Sequence, residues 1–254
     1  MQFRLIRNAT FRLNYSHRLL VTDPFLAPKH SLPSFDNISP NPIVDLPCSA
    51  EDVIEGAELV LLSHLHSDHF DQVAQELLPK NTPIFCQPCD ETRIAGFGFL
   101  DIYPLESSID WHDITITRTP GKHGIGSLAK QMGQVSGFVF QARDEPTVYW
   151  TGDTIWYEEI EVVIERFQPD IIVTHSSGAR FGGSDPIVMD AGQTIAVCHK
   201  AKEATVIAIH LESLDHGRVT REGLAALAKE SDIRPGQLLI PADGETLSFS
   251  VPSS

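Results

Sequence analysis

The stretch His64-Leu65-His66-Ser67-Asp68-His69 comes directly after the apolar run Leu59-Val60-Leu61-Leu62. Three imidazoles and a carboxylate within six residues offer the donor atoms that Zn, Mn and Fe prefer. Because side chains alternate along a strand with period two, the first two histidines face the same side of an extended backbone. The closing Asp-His pair then turns toward a second point as a helix begins. One loop is therefore expected to supply ligands to two neighbouring metals.

Each of these residues also has a simpler explanation. Asp68, with Asp71 three residues later, could cap a helix that begins at Phe70. A lone histidine at a strand end is more often a hydrogen-bonded structural residue than a ligand. A helix cap does not need three imidazoles beside it, so the cluster as a whole favours a metal site.

The stretch resembles the HxHxDH signature of the metallo-β-lactamase superfamily, whose members place a metal pair at one edge of an αββα sandwich. The resemblance implies an α/β fold with two mixed β-sheets and helices on the outer faces. It also implies three later ligands at strand ends, for which the chain offers His123, Asp153 and His210. By this resemblance one metal is held by His64, His66 and His123, and the other by Asp68, His69 and His210, with Asp153 bridging them.

Such a pair of ions has a defined chemistry. Two divalent cations about 3.5–4 Å apart hold a bridging water and lower its pKa toward about 7, so that hydroxide forms at neutral pH. Asp68 and Asp153 are the catalytic candidates, since a carboxylate on the metals can steer the proton of that hydroxide. The expected activity is hydrolysis of a small ester, lactone or phosphoester. Zn and Mn both suit the donor set, and Fe is compatible with it.

Within the superfamily, the chain is most similar to the L-ascorbate-6-phosphate lactonase-like branch. The likeness rests on the strand hairpin leading to Asp23-Pro24-Phe25, on the intact signature, and on the ending Ile209 to His216. It implies that His216 contacts substrate. The chain departs from that branch at Thr174-His175-Ser176-Ser177, where an amide-rich or glycine-rich turn is expected. The Asp at position 153 argues against antibiotic hydrolysis, because true β-lactamases of this fold lack it.

Three further residues are candidates for supporting roles. His175 ends a strand at the ligand-bearing edge and either contacts substrate or lines the rim. Arg180, within the segment 178–184, could bind an anionic substrate group together with backbone N–H groups, or the segment could be a flexible connector. Asp23 either accepts a hydrogen bond from a metal-bound histidine or starts an Asp-Pro turn.

Two other functions use the same residues. Iron-dependent oxidoreductases and dioxygenases occur on this fold, but a single iron would leave Asp68 and His69 without a role. A non-catalytic metal-binding protein is the second alternative, although four ligands are enough to close a structural site.

The composition limits the classes of molecule that the chain is expected to bind. The chain has 254 residues and a formal net charge of −15, which argues against binding to a nucleic-acid backbone. A small-molecule substrate is expected, and an anionic one is compatible because the metals supply positive charge. The sequence has no run of 18 apolar residues and no signal-peptide core at its start, so a cytoplasmic protein without a membrane span is expected.

The organisation predicted is one domain over residues 1–254 with a proline-rich loop at 24–47. That loop is expected to be a substrate-side lid, an oligomer contact or a plain surface excursion, and a homo-oligomer is compatible with it. Ser49 and Asp52 form a capping-box pattern. Cys86 and Cys89 form a CxxC pair, either redox-active or incidental. After three opening strands, strands are predicted at 58–62, 83–86, 100–104, 113–118, 137–142, 147–151, 170–174, 205–209, 238–240 and 246–250, and helices at 70–78, 90–96, 157–167, 190–200 and 220–230.

Overall fold

The computed structural model describes residues 1–250. Its strands are β1 Gln2–Arg7, β2 Thr10–Tyr15, β3 Arg18–Thr22, β4 Leu59–Leu61, β5 Ile84–Cys86, β6 Ile102–Pro104, β7 Ser108–Trp111, β8 Ile114–Pro120, β9 Ser136–Ala142, β10 Val148–Trp150, β11 Ile171–His175, β12 Thr205–Ile209, β13 Leu238–Leu239 and β14 Thr246–Ser248. Its helices are α1 Ala50–Ile54, α2 Gln72–Leu77, α3 Glu91–Gly96, α4 Gly126–Met132, α5 Glu158–Phe167, α6 Ala191–Lys200 and α7 Arg221–Glu230.

The strands form two seven-stranded sheets that pack face to face. The first sheet has the order β14-β1-β2-β3-β4-β5-β6, and the second has the order β13-β12-β11-β10-β9-β8-β7. Their inner faces share one apolar core, in which the ring centroids of Phe11 and Trp150 lie 5.5 Å apart. Helices α1 to α3 cover the outer face of the first sheet, while α5 and α6 cover that of the second. The expected αββα sandwich is confirmed.

Strands β4 and β10 are apolar at every position because both of their faces are buried. In β10, Val148 and Trp150 point into the core between the sheets, whereas Tyr149 packs against the residues of α5 and α6. In β4, Leu59 and Leu61 face the same inner core, and Val60 faces the helices outside. Such strands give continuous apolar runs in the sequence rather than an alternating pattern.

The topology brings the carboxyl ends of several strands to one edge of the sandwich. Strands β3 and β4 are parallel, and so are β10, β11 and β12. Strand β8 runs in the same direction as β10, since each is antiparallel to β9. The loops that follow these strands therefore converge, and they carry the predicted ligands.

The local predictions and the structure differ in helix α2, helix α4 and strand β7. The capping box is present, with Ser49 as the N-cap of α1 and Asp52 returning the hydrogen bond. Helix α2 begins later than predicted because Asp71 is its N-cap and accepts a hydrogen bond from the amide of Ala74 at 2.7 Å, which leaves Asp68 without a capping role. Helix α4 and strand β7 were not predicted; both are short and neither contains a fully buried residue, so their apolar patterns are weak.

Residues 24–47 form no regular element apart from an isolated bridge between Leu32 and Asn41. This loop is held by the fully buried side chain of Arg7, which donates to the carbonyl oxygens of Phe25 at 3.0 Å, Ala27 at 2.8 Å and Val44 at 3.1 Å. The guanidinium also lies 4.6 Å from the centroid of the Phe25 ring. Both ends of the loop are thus fixed to β1.

Cys86 is buried and Cys89 is exposed, and both are free thiols. Within residues 1–250, no helix combines the length and apolar character needed to cross a membrane.

We expect the Arg7→Met variant to lower the free energy of unfolding by about 3 kcal/mol, because three buried carbonyl groups lose their donor. Urea denaturation monitored by circular dichroism measures this change. The matched control is Arg143→Met, since Arg143 is exposed and pairs only with Asp144; its effect should stay within about 0.5 kcal/mol. Equal effects of the two variants would contradict a role of Arg7 in holding the loop.

Candidate metal centre

Three histidines from two loops form the first group of donor atoms. His64 and His66 follow β4, and His123 follows β8. One ring nitrogen of each lies within 4.8 Å of the others, although no two of these residues are neighbours in the chain. His64 and His123 are buried and His66 is half-buried, so the group opens toward solvent on the side of His66.

A second group lies beside the first. The donor atoms of Asp68, His69 and His210 are also within 4.8 Å of one another, and all three residues are buried. His210 follows the last residue of β12 with a φ of 63°, and its amide donates to the carbonyl oxygen of Asn8 at 3.0 Å. This backbone bond turns the side chain of His210 toward the loop after β4.

Asp153 lies between the two groups. Its Oδ2 atom is 3.4 Å from Nε2 of His123 and 3.2 Å from Nε2 of His69, and its Oδ1 atom is 3.7 Å from Nε2 of His210. The preceding Gly152 has a φ of 65°, and an added Cβ would collide with the carbonyl oxygen of Ser136, so only glycine fits there. The structure thus brings the seven predicted ligand residues to one place.

The histidines are oriented by hydrogen bonds at Nδ1. His69 is held by Asp23 at 2.7 Å, and His123 by the carbonyl oxygen of Ile187 at 2.8 Å. His64 and His210 are held by the hydroxyl groups of Ser63 at 3.0 Å and Ser177 at 3.2 Å. Orientation through the second ring nitrogen is the usual arrangement for metal-binding histidines.

The Nε2 atoms of His64, His69 and His210 are buried and have no hydrogen-bond partner among the described residues. A buried polar atom without a partner destabilises the folded protein by about 1–3 kcal/mol. Three such atoms in one small volume therefore indicate that a bound group interacts with them. The surrounding carboxylates and imidazoles are hard and borderline donors. Divalent Zn, Mn or Fe therefore fits this donor set.

Asp23 is completely buried behind His69. Its Oδ2 atom bonds His69 and the Ser63 hydroxyl, the latter at 2.5 Å, and its Oδ1 atom accepts from the Ser63 amide at 2.7 Å. This geometry matches the expected hydrogen-bond acceptor for a metal-bound histidine. Asp23 also fixes the start of the loop that carries the signature residues.

Charges at the centre suit cation binding. Burial raises the pKa of Asp153, but the neighbouring histidines outweigh burial, and the pKa lies well below its ordinary value. Burial lowers the pKa of His64 well below its ordinary value and that of His123 to about 4. At His69 burial lowers the pKa, but Asp153, Asp68 and Asp23 raise it well above the ordinary value, so these carboxylates favour positive charge there. Ionised carboxylates and neutral imidazoles are the metal-binding forms.

Asn8 is a site residue that the sequence analysis missed. Its Nδ2 atom donates to the carbonyl oxygen of Asp68 at 2.9 Å, and its own carbonyl accepts from His210. It thereby links two members of the second group. In the sequence Asn8 is part of a turn between two strands, and nothing in that pattern distinguishes it from an ordinary turn residue.

His175 does not lie where a substrate contact was expected. It is fully buried behind Asp153, with Nδ1 at 2.5 Å from Oδ1 of Asp153 and Nε2 accepting from the indole of Trp150 at 2.9 Å. Burial lowers its pKa to about 4. Both ring nitrogens are engaged by protein groups, so neither is free to reach a substrate.

A cavity of about 220 Å³ opens over the donor groups. One end is formed by His66, Asp68, His123 and Asp153, and Ser67 lies at the rim. The apolar side chains of Phe35, Met132, Phe181 and Ile187 form the rest of the wall together with His216. His216 is 5% exposed, its Nδ1 atom has no hydrogen-bond partner within residues 1–250, and its ring stacks on Phe181 with centroids 5.6 Å apart. His216 therefore lines the cavity, and its contact with a substrate stays a prediction.

Arg180 does not lie where it could bind an anionic substrate group, although the sequence analysis suggested that role. Its guanidinium lies 3.5 Å from Asp190, and the residue does not line the cavity. The amides of Gly178, Arg180 and Gly182 donate to Met189, His216 and Asp36, so they are not free to bind an anion. The segment 178–184 instead contributes an apolar side chain, Phe181, to the wall.

The position of Phe35 depends on one carboxylate. Asp215 accepts hydrogen bonds from the amides of Phe35 at 3.0 Å and Asp36 at 3.1 Å, and from the side-chain amide of Asn41 at 2.8 Å. The hydroxyl of Ser34 and the amides of Ile38 and Ser39 complete this shell. Burial raises the pKa of Asp215, but these donors outweigh burial and hold the pKa far below its ordinary value.

We expect Asp215→Asn to lower the free energy of unfolding by about 2 kcal/mol, because its amide group turns N–H donors toward other N–H donors. The same change should speed proteolytic cleavage within residues 34–39, which limited proteolysis with mass spectrometry measures. Asp113→Asn, at an exposed position, is the matched control. An unchanged cleavage rate at 34–39 would show that the loop is held by other contacts.

The family description "Beta-lactamase superfamily domain" matches residues 23–211. UPF0173 protein YddR of Bacillus subtilis (strain 168) is 34% identical over 255 residues, which cover 98% of this chain and 100% of that relative.

Two solved structures are similar over nearly the whole chain. A possible metal-dependent hydrolase from Veillonella parvula DSM 2008 is 34% identical with a TM-score of 0.94, covering 98% of this chain and 99% of that one. An isothiocyanate hydrolase from Delia radicum gut bacteria is 35% identical with a TM-score of 0.91, again covering 98% and 99% of the two chains.

Proposed function

Because the chain belongs to the UPF0173 family of the β-lactamase superfamily, we propose that it is a metal-dependent hydrolase of small, uncharged electrophiles that carry an apolar substituent. The proposal rests on the cavity, whose two ends differ in polarity. Its polar end holds the two groups of donor atoms, and its other end is an apolar wall. Relatives in this family are themselves named metal-dependent hydrolases.

The metal ligands proposed are the seven residues that the sequence analysis selected, with Asp153 shared between two ions. Two divalent ions bound there would supply hydroxide at neutral pH and polarise the electrophilic group of the substrate. Asp68 and Asp153 both line the cavity and are the carboxylates that can take a proton from water and pass it to the leaving atom. Nδ1 of His216 can donate to or accept from a polar atom of the substrate.

The charge of the cavity lining decides between substrate classes. Neither lysine nor arginine is among its lining residues, and Arg180 is paired with Asp190 instead. The negative charge of a phosphoester would be balanced by the bound ions alone, with no lysine or arginine to hold it, so the proposal favours neutral substrates. Uncharged esters and lactones meet this condition, whereas the phosphorylated lactone that the lactonase-like branch suggests does not.

Isothiocyanates meet it as well, and the similarity to an isothiocyanate hydrolase over 98% of the chain favours them as the first substrates to test. In that reaction the oxygen of water bonds to the central carbon, the carbon–nitrogen bond breaks, and both protons end on nitrogen. The products are an amine and carbonyl sulfide. The linear N=C=S group can enter the polar end while its substituent lies against Phe35 and Phe181.

We expect Asp153→Asn to abolish retention of at least one metal per chain and to slow turnover at least about 100-fold, because the shared carboxylate loses its charge. Elemental analysis of protein purified without chelator gives the metal content, and a spectrophotometric assay with benzyl isothiocyanate and a phenyl ester gives turnover. Asp185→Asn, at an exposed position, is the control.

Two metals with full turnover in Asp153→Asn would contradict the assigned role of Asp153. A single iron in the wild-type protein, with no hydrolysis of any substrate, would instead favour the iron-dependent oxidoreductases of this fold. Metal retention without any turnover would favour a binding protein.

We expect Phe181→Ala to reduce kcat/KM for benzyl isothiocyanate about tenfold while changing the value for methyl isothiocyanate less than about threefold, because only the larger substrate buries apolar surface on the wall. The ratio of the two values in one variant is the measurement. An equal loss with both substrates would mean that Phe181 acts on the site as a whole rather than on the substituent.

A further inference from the structure

Trp150, His175 and Asp153 form a hydrogen-bonded line directly behind the donor groups. The indole nitrogen of Trp150 lies 2.9 Å from Nε2 of His175, and Nδ1 of His175 lies 2.5 Å from Oδ1 of Asp153. Trp150 ends β10 and His175 ends the neighbouring parallel strand β11, so the line is built on adjacent strands of one sheet. Trp150 and His175 are both completely buried.

The line has only one self-consistent arrangement of protons. An indole nitrogen can only donate, so Nε2 of His175 must be the acceptor. The proton of a neutral His175 ring is therefore on Nδ1, from which it is donated to Oδ1 of Asp153. The opposite tautomer would place two N–H groups face to face at Trp150 and a lone pair against the carboxylate, and both contacts are unfavourable.

The consequence concerns the direction in which Asp153 presents its oxygens. With Oδ1 held by His175, the carboxylate cannot rotate freely, and Oδ2 stays 3.2 Å from Nε2 of His69 and 3.4 Å from Nε2 of His123. The ring of His175 also stacks on that of His210, with centroids 5.0 Å apart at an interplanar angle of 29°. One side chain thus contacts the shared carboxylate and a histidine of the second donor group.

We propose that His175, with its tautomer fixed by Trp150, is a positioning residue that fixes the carboxylate of Asp153 for two-metal binding. The inference rests on the proposed function, in which Asp153 is the shared ligand. It replaces the substrate contact expected for His175, and it gives Trp150 a role beyond filling the core. The ligand that the positioned carboxylate of Asp153 would bind is a divalent cation.

The test uses a pair of substitutions of nearly equal size, His175→Asn and His175→Leu. The Asn side chain can place an N–H group where Nδ1 of the histidine lies, whereas Leu fills the same space without a donor. We expect His175→Leu to weaken metal retention about 10–100-fold and His175→Asn to stay within about threefold of wild type. Zinc or manganese titration against a chromophoric chelator measures retention without reference to activity.

Thermal unfolding of the metal-free proteins separates positioning from folding. The two variants should have similar metal-free Tm values, so that the difference in retention is not a difference in stability. Equal retention in His175→Asn and His175→Leu, whether both weak or both normal, would overturn the proposal. His199→Leu, at an exposed histidine, controls for loss of an imidazole elsewhere.

The role of Trp150 is tested by a double-mutant cycle. Trp150→Phe should weaken retention when residue 175 is histidine, because the tautomer is then free to change. In the His175→Asn background, Trp150→Phe should weaken metal retention by less than about half of the fold-change that it causes in the wild-type background. The reason is that an amide side chain has no tautomer to fix. The same effect in both backgrounds would show that Trp150 acts through packing alone and would overturn this part of the proposal.

These measurements distinguish the inference from the function on which it rests. If wild type retains two metals and Asp153→Asn loses them while the two His175 variants behave alike, the inference is wrong and the proposed function stands. If wild type retains metal in the expected pattern but hydrolyses none of the substrates, the proposed function is wrong and the positioning role stands. If wild type retains no metal, both are wrong.

Discussion

At the centre of this molecule three imidazole nitrogens, Nε2 of His64, His69 and His210, are buried with no hydrogen-bond partner among the described residues. Keeping these atoms unpaired and aimed at one volume requires that each ring be held from its other side. The carboxylate of Asp23 and the hydroxyl groups of Ser63 and Ser177 do so at Nδ1, and these three residues directly follow, or lie two positions after, the ends of parallel strands. Much of the architecture at this edge of the sandwich follows from that requirement.

Local patterns in the sequence were enough to predict part of this centre. The signature 64–69 is contiguous, and the family resemblance that it carries implies three later ligands at strand ends, for which the chain offers His123, Asp153 and His210. The αββα layers could be predicted from the resemblance and are confirmed by the structure. The roles of the seven residues as ligands stay a prediction until metal binding is measured.

The remaining features depend on tertiary contacts that no local pattern encodes. His175 looks like any strand-end histidine until Trp150 is seen to donate to its Nε2 atom across two strands. Asn8 looks like a turn residue until its side chain is seen to reach Asp68. Asp215 accepts from residues more than 170 positions earlier in the chain. The segment 178–184 has the composition of an anion-binding loop, but the amides of Gly178, Arg180 and Gly182 are already engaged by other parts of the fold.

The two phenylalanines of the cavity wall come from loops that contribute no donor group. Phe35 is held by Asp215, and Phe181 belongs to a segment tied to the same loop through the bond from the Gly182 amide to Asp36 at 2.7 Å. None of these contacts involves the histidines of the two donor groups. Changes in the two loops can therefore alter which substituent fits while the groups that would activate water keep their geometry. In evolutionary terms the rim can diversify under selection for new substrates, and the chemistry beneath it can be inherited unchanged by lineages that share little else of their specificity.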